Sequence, residues 1–318
     1  MQKTPKIHHS ALNFFHTILL VVGMLALLAL LGWLLAGTQG LFWGTVLSVI
    51  VVTLGQEVSP SVILRMYGAS PLTVQETPLL HQIVQTLARR ADLPVPPQLY
   101  YIPSQTMNAI AVGRRKAPAI GITDGLLRNL NGRELTGVLA HEIGHFRNND
   151  MRVMATADAI SRITNLFSSL GIFMLFINIP LHLMGASTIS WLAIMLLLIT
   201  PTLSNLLQMA LSRTREYNAD RQAVQLTSDA HGLISALLKL EYYSVNLLVN
   251  MLMPGHSAPG PSLFRTHPST QERVAQLRRL ADLRSPQLPL EDEVAAMIPQ
   301  HLPPVTRRPQ WHVMGIWY

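Results

Sequence analysis

The sequence predicts a mainly α membrane protein, with about four transmembrane helices and a soluble α+β portion built on a small sheet. Three observations predict it. Of 318 residues, 49% are hydrophobic and only 13% charged, where an ordinary soluble chain carries roughly a quarter charged residues. Four stretches, 17–36, 41–54, 163–184 and 189–211, contain no Asp, Glu, Lys or Arg. All 24 Lys and Arg lie outside the two hairpins that these stretches would form.

The first stretch is twenty residues long, the length that crosses a hydrocarbon core of about 30 Å. Lys3 and Lys6 precede it as they would a signal peptide, but it is long for a signal h-region and no A-x-A site follows. The second stretch is short and ends near Gln56, Glu57 and Pro60, so alone it could be re-entrant. Basic residues gather on the cytoplasmic face of membrane proteins. If 41–54 did not span, Lys3 and Arg65 would sit on opposite faces, so the charge pattern favours a true span. The same pattern assigns the formal charge of +7 to membrane orientation, and no nucleic-acid partner is expected.

The third and fourth stretches are joined by the uncharged residues 185–188 and form the second hairpin. Thr200, Pro201, Thr202, Ser204, Asn205 and Gln208 crowd the second half of the fourth. Polar groups in hydrocarbon need partners, so this half either faces protein or a wet cavity, or bonds back to its own carbonyls.

The expected organisation is therefore a membrane hairpin at 1–64, a first soluble piece at 65–162, a second hairpin at 163–211, a second soluble piece at 212–284 and a Pro-rich tail at 285–318. Both soluble pieces fall on the cytoplasmic side and can form one domain. Within the first, Leu79, Leu80, Ile83, Val84 and Leu87 have helical spacing over 77–91. Residues 98–102, 109–112 and 119–123 read as short strands, with 113–116 as a charged turn. Asn131 is an N-cap candidate for a helix from Gly132 to about Phe146.

Zero Cys excludes disulfide frameworks, Cys-type zinc ribbons, iron–sulfur clusters and thiol nucleophiles. Any metal must be held by His, Asp or Glu. The helix from Gly132 carries His141-Glu142-Ile143-Gly144-His145, an H-E-x-x-H pattern. Residues four apart share a helix face, so the two imidazoles can converge on one ion while Glu142 reaches a metal-bound water. A catalytic zinc usually takes a third protein ligand. The Gly and His that a metzincin would supply are Asn148 and Met151 here. A carboxylate from a later helix is the other common solution, and Glu216 in Arg215-Glu216-Tyr217-Asn218-Ala219-Asp220 is the candidate. Glu216 and Asp220 are again four apart, so one can bind metal while the other accepts the second ring N–H of a liganding His. Asp150 is expected to cap or brace the motif helix and is not expected to be a ligand.

These residues resemble the HtpX family of membrane-bound zinc metalloproteases, related to the CAAX prenyl proteases. The similarity runs from the first apolar stretch to about Leu280 and rests on His141-Glu142-x-x-His145, the hairpin and Arg215-Glu216-Tyr217-x-Ala219-Asp220. It implies a cytoplasmic zincin-like α+β metallopeptidase domain, with one Zn2+ on His141, His145 and Glu216 and Asp220 behind them. Asn108-Ala109-Ile110-Ala111 is similar to the family's Asn-Ala-Phe-Ala strand, which implies that Asn108 helps hold an extended peptide; Ile110 stands where an aromatic is usual. His267, in Thr266-His267-Pro268, and Arg273 are similar to positions proposed to contact the substrate carbonyl or the oxyanion.

The expected activity is peptide-bond hydrolysis, with Glu142 as general base towards a zinc-activated water. The resemblance implies polypeptide substrates, membrane proteins among them, and a role in quality control at the inner membrane of a prokaryote, with both termini cytoplasmic. Prenyl-peptide cleavage and a non-catalytic zinc scaffold are the alternatives; self-association into a homo-oligomer stays open. The tail ends in Trp311-His312-Val313-Met314-Gly315-Ile316-Trp317-Tyr318, which reads as a loose extension or as an aromatic anchor for the membrane interface or the active-site groove.

Overall fold

The computed structural model describes residues 6–54, 60–186, 190–252 and 269–283. His267 and the tail at 285–318 lie outside them. In chain order the elements are α1 (Lys6–Leu54), α2 (Pro60–Met66), β1 (Ser70–Pro71), α3 (Pro78–Arg90), β2 (Gln98–Ile102), β3 (Ala109–Arg114), β4 (Ala117–Thr123), α4 (Asp124–Asn129), α5 (Gly132–Arg147), α6 (Asp150–Leu183), α7 (Trp191–Thr227), α8 (Ala230–Leu252) and α9 (Thr270–Leu283). Two compact units result: Met1–Glu57 with Arg152–Thr214, and Val58–Met151 with Arg215–Tyr318.

The first unit is built from α1 and from most of α6 and α7. Among the described residues, three helices are long and apolar enough to cross a membrane: Ile18–Ile50, Asp150–Leu183 and Trp191–Thr227. The first covers most of two of the four stretches read from sequence, 17–36 and 41–54. Its helical geometry breaks at Ala36 and at Gly37, whose φ of +58° suits a residue without a Cβ. Beyond the break the chain doubles back. A Cβ at Gly32 would overlap the Gly40 carbonyl oxygen, a Cβ at Gly40 would overlap that of Gly32, and one at Gly44 would stand 2.9 Å from the Leu28 oxygen. The two arms therefore meet backbone to backbone, and Ser48 reaches the Leu25 carbonyl across them. Met24 and Leu28 pack with Ala157, Ile160 and Leu211.

The outward surface of this unit is apolar. Phe173, Phe176 and Leu192 are 61%, 72% and 68% exposed, and side chains of this size gathered on one surface suit hydrocarbon. The polar half of α7 divides between the two expectations. Ser204 is buried and meets Ser161, whose hydroxyl also donates to Gln208. Thr200 bonds back to the Leu196 carbonyl, and Thr202 and Asn205 are exposed.

The second unit is α+β. Its sheet has the order β1-β2-β4-β3, with β2 and β4 parallel and the other two pairings antiparallel. The strands at 98–102, 109–112 and 119–123 appear, with β3 running into the charged turn as far as Arg114 and β4 starting two residues earlier than expected, at Ala117. β4 is buried along nearly its whole length because both of its faces are covered. Ala119 packs with Leu64 and Val112 on one side, while Ile120 and Ile122 join the main core on the other. That core takes Leu80, Val84 and Leu87 from α3, Leu135, Leu139, Ile143 and Phe146 from α5, and Leu233 from α8. β3 forms an edge of the described sheet and packs against α5, the helix carrying the motif.

Candidate metal centre

α5 begins as expected at Asn131. Its side chain accepts from the Glu134 N–H at 2.9 Å, and the Glu134 carboxylate accepts from the Asn131 N–H at 2.9 Å. Glu134 is tied in turn to Lys239 and Ser235 of α8. Leu135, Leu139, Ile143 and Phe146 bury the core face, which leaves His141 and His145 together on another. α5 ends at Arg147 with Asn148 as its C-cap; Asn149 takes a φ of +56°, and the chain re-enters a helix at Asp150. That turn aims the Asp150 carboxylate back at His145.

α7 supplies the opposing wall. A Cβ on Gly144 would lie 3.3 Å from the Ala219 Cα and 3.4 Å from Gln222 Cβ. A glycine between the two histidines thus lets α7 approach until Glu216 and Asp220, one turn apart, both reach the imidazoles. Gln222 strengthens the contact by donating to the Asn148 side chain at 2.5 Å.

His141 Nε2 lies 3.2 Å from His145 Nε2 and 3.3 Å from Glu216 Oε2, and His145 Nε2 lies 3.6 Å from Glu216 Oε1. All three residues are buried, and their ligating atoms fall within 4.8 Å of one another. Behind them His141 Nδ1 bonds Asp220 at 2.9 Å, and His145 Nδ1 bonds Asp150 at 2.9 Å. A carboxylate at Nδ1 keeps the ring proton there and turns the Nε2 lone pair inward. Two inward lone pairs beside a carboxylate need positive charge between them. Nitrogens 2.0–2.1 Å from a tetrahedral zinc stand about 3.3 Å apart, so the donor set fits that ion.

Proton affinities carry the same message. Burial pushes the His141 ring towards neutrality. The charge of Glu216 and the bond to Asp220 outweigh burial and the nearby Arg273 cation, raising its pKa to about 10. The His145 pKa is also raised, with the Asp150 bond overcoming burial and the repulsion of His141.

Glu142 is only partly buried, unlike the two histidines. Its Oε2 accepts the N–H of Ala111 on β3 at 3.1 Å, which ties the carboxylate to the edge strand. Asn108 stands just before that strand, with its backbone N–H donating to the Thr123 hydroxyl and its carbonyl accepting from Thr123. Arg273 was expected on the substrate side. In the structure it is buried, with Nε and Nη2 forked onto Asp220 at 2.8 and 2.6 Å and Nη1 3.0 Å from Glu216 Oε2. The structure thus brings His141, His145, Glu216, Asp220 and Arg273 together, with Glu142 one position along α5. Sequence reading missed the partner of Asp150: its other oxygen accepts from Arg215 Nη1 at 2.6 Å. An acidic residue five positions after the second motif His, behind an Asn able to take positive φ, was the available signal.

The family model described as peptidase family M48 matches residues 74–281. The chain is 34% identical over 283 residues to the protease HtpX homolog of Salinibacter ruber, covering 85% of this chain and 99% of that protein. It is 32% identical over 297 residues to the protease HtpX homolog of a Sulfurihydrogenibium species, covering 86% and 98%. The crystal structure of S. mikatae Ste24p aligns with a TM-score of 0.47 and 22% identity, covering 86% of this chain and 66% of that one.

Proposed function

This chain belongs to peptidase family M48, among its HtpX proteases, and is a membrane zinc metalloprotease; from that premise we propose which residues hold the metal, which one moves the proton and what is cleaved. His141, His145 and Glu216 are the zinc ligands, Asp220 holds His141, and Glu142 is the general base. The observation that carries this reading is the convergence of three buried donor atoms with both Nδ1 positions already bonded to carboxylates. Zinc, when bound, supplies a Lewis acid that polarises the scissile carbonyl and makes water acidic near neutral pH.

The chain's own groups do the rest. Glu142 accepts the water proton and returns it to the leaving amine; the Ala111 N–H at its Oε2 fixes the direction of the carboxylate. β3, as an edge strand beside Glu142, offers backbone groups to an extended polypeptide, with Asn108 at its start. His267 is assigned to the substrate carbonyl or oxyanion. Arg273 acts on the same region through Asp220 and Glu216, which it holds.

The membrane organisation proposed with this site has four spans, at 17–36, 41–54, 163–184 and 189–211, flanking a cytoplasmic peptidase domain made of 65–162 and 212–284, with 285–318 as a tail. The placement of all Lys and Arg outside the hairpins supports that orientation, with both termini cytoplasmic, in the inner membrane of a prokaryote. Membrane proteins subject to quality control are the proposed substrates.

Metal analysis and casein cleavage on wild type and Glu142→Gln test the chemistry. Glu142→Gln is expected to keep zinc and lose at least about a hundredfold in cleavage rate; undiminished cleavage would remove Glu142 as the base. The same variant held in native membranes should retain membrane proteins identifiable by mass spectrometry. Retention of soluble proteins alone would overturn the substrate assignment.

A further inference from the structure

The ring of His145 is held by more than one residue. Asp150 is fully buried, and its two oxygens face different ways: Oδ2 to His145 Nδ1 at 2.9 Å and Oδ1 to Arg215 Nη1 at 2.6 Å. A carboxylate bonded only to an imidazole can still rotate about its own side-chain bonds. A guanidinium on the second oxygen fixes the carboxylate plane, and through it the ring plane and the direction of Nε2. Asp150 opens α6 and Arg215 lies on α7, so the anchor of a residue on α5 is assembled from two other helices. Arg215 also directly precedes Glu216. One turn of α7 thus sends one side chain to the metal site and the next to the support behind a second ligand.

We propose that Asp150 and Arg215 are the positioning pair for His145, and that Arg215 acts on the metal through Asp150. The inference rests on the assignment of His141, His145 and Glu216 as the zinc ligands. It assigns these two buried charges to the metal site in addition to any part in packing α6 and α7. A buried ion pair on its own is weak evidence for stability, since desolvation offsets much of its attraction. The bond from Asp150 to a ligand ring gives this pair a specific task.

The test is zinc affinity, measured on the full-length protein in detergent by competition with a chromophoric chelator, together with the visible spectrum of the cobalt-substituted form. Asp150→Ala should weaken zinc binding by about 10–100-fold and alter the cobalt spectrum. Arg215→Met should produce part of that loss, and Arg215→Lys should recover some of it. The double variant Asp150→Ala/Arg215→Met should bind no more weakly than Asp150→Ala, because the Arg has no route to the metal once the carboxylate is gone.

Unchanged zinc affinity in folded Asp150→Ala would overturn the proposal, and so would additive losses in the double variant. Should Asp150→Ala fail to fold with Arg215 stranded, the double variant removes the stranded charge and Asp150→Asn preserves the shape. Wild-type affinity in both would equally overturn it. A purely structural role would lower the melting temperature of the chelated variants while leaving zinc affinity intact. His145→Ala separates the two layers of the argument, since unchanged zinc affinity there would remove the ligand assignment itself.

Discussion

α5 and α7 each present two site residues four positions apart, yet unlike forces hold the two helices. α5 is a sixteen-residue helix with a complete capping box, and nearly all of it is buried in the core of its own unit. α7 is thirty-seven residues long, begins in an apolar run in which Leu192, Met195 and Ile199 are exposed, and reaches Glu216 only after about seven turns. His141 and His145 are placed by local capping and core packing. Glu216 and Asp220 are placed by the close approach of α7 to Gly144 and by Arg273. The proposed metal site, divided this way, needs both helices in register, so a shift of either one at the site itself should appear in zinc affinity.

The largest effect is expected from removing the α7 ligand while leaving α5 whole. Glu216→Gln removes the negative charge from the proposed three-ligand site, and the purified protein should lose most of its zinc and its cleavage activity. Metal analysis after gel filtration checks this. Full zinc content would mean that the α5 pair holds the ion without α7.

Next comes the contact between the helices. Val at position 144 would place γ carbons where even a Cβ is already 3.3 Å from the Ala219 Cα. Gly144→Val should cost about 1–3 kcal/mol by overpacking, and a shift of α7 by about 1 Å can cost on the order of a hundredfold in rate. Thermal melts and casein cleavage read the two effects separately. Wild-type behaviour would show that the approach at Gly144 does not set the site.

The same contrast decides what the sequence could reveal. The motif on α5 was legible because everything that makes it work is local: the spacing of His141 and His145, the Asn131 and Glu134 cap, and the apolar face between them. Glu216 was legible as a candidate by elimination, by its spacing to Asp220 and by the family resemblance of the residues around it. Asp150 was expected to brace the helix, because its real partner, the His145 ring, is met only after the left-handed turn at Asn149. The partners of Arg273 were not legible, because no local rule reveals that two buried carboxylates await it from another helix. The fold-back inside α1 was legible as two apolar runs, but no pattern in the sequence reveals that the two backbones meet at Gly32 and Gly40.

A smaller, graded effect should come from pH. Without zinc, the carboxylates brought by α7 hold the α5 imidazole of His141 protonated up to about 10. Zinc requires the neutral ring, so its affinity should rise with pH from 6.5 to 8.5, by at most about tenfold per unit for each proton displaced. The chelated protein should show the opposite slope. A His whose folded pKa is raised contributes stability below its unfolded pKa of about 6.5 and loses it as pH climbs towards the folded value. Zinc titrations and melts with and without chelator at both pH values check this. Parallel slopes would show that α7 does not set the charge of the α5 imidazole.

The smallest effect belongs to α5 alone. Asn131→Ala deletes the side chain that accepts the Glu134 N–H, and an N-cap of this kind is worth about 1 kcal/mol. Glu134 keeps its bonds to Lys239 and Ser235, so the start of the helix should fray without leaving α8. The motif lies two and a half turns further on, beyond the reach of a frayed first turn. A melting temperature lowered by a few degrees with zinc affinity and cleavage unchanged is therefore expected, whereas Gly144→Val should lose both stability and cleavage. If zinc affinity fell with the cap, the histidines would depend on the whole length of α5, and the division of labour between the two helices would have to be redrawn.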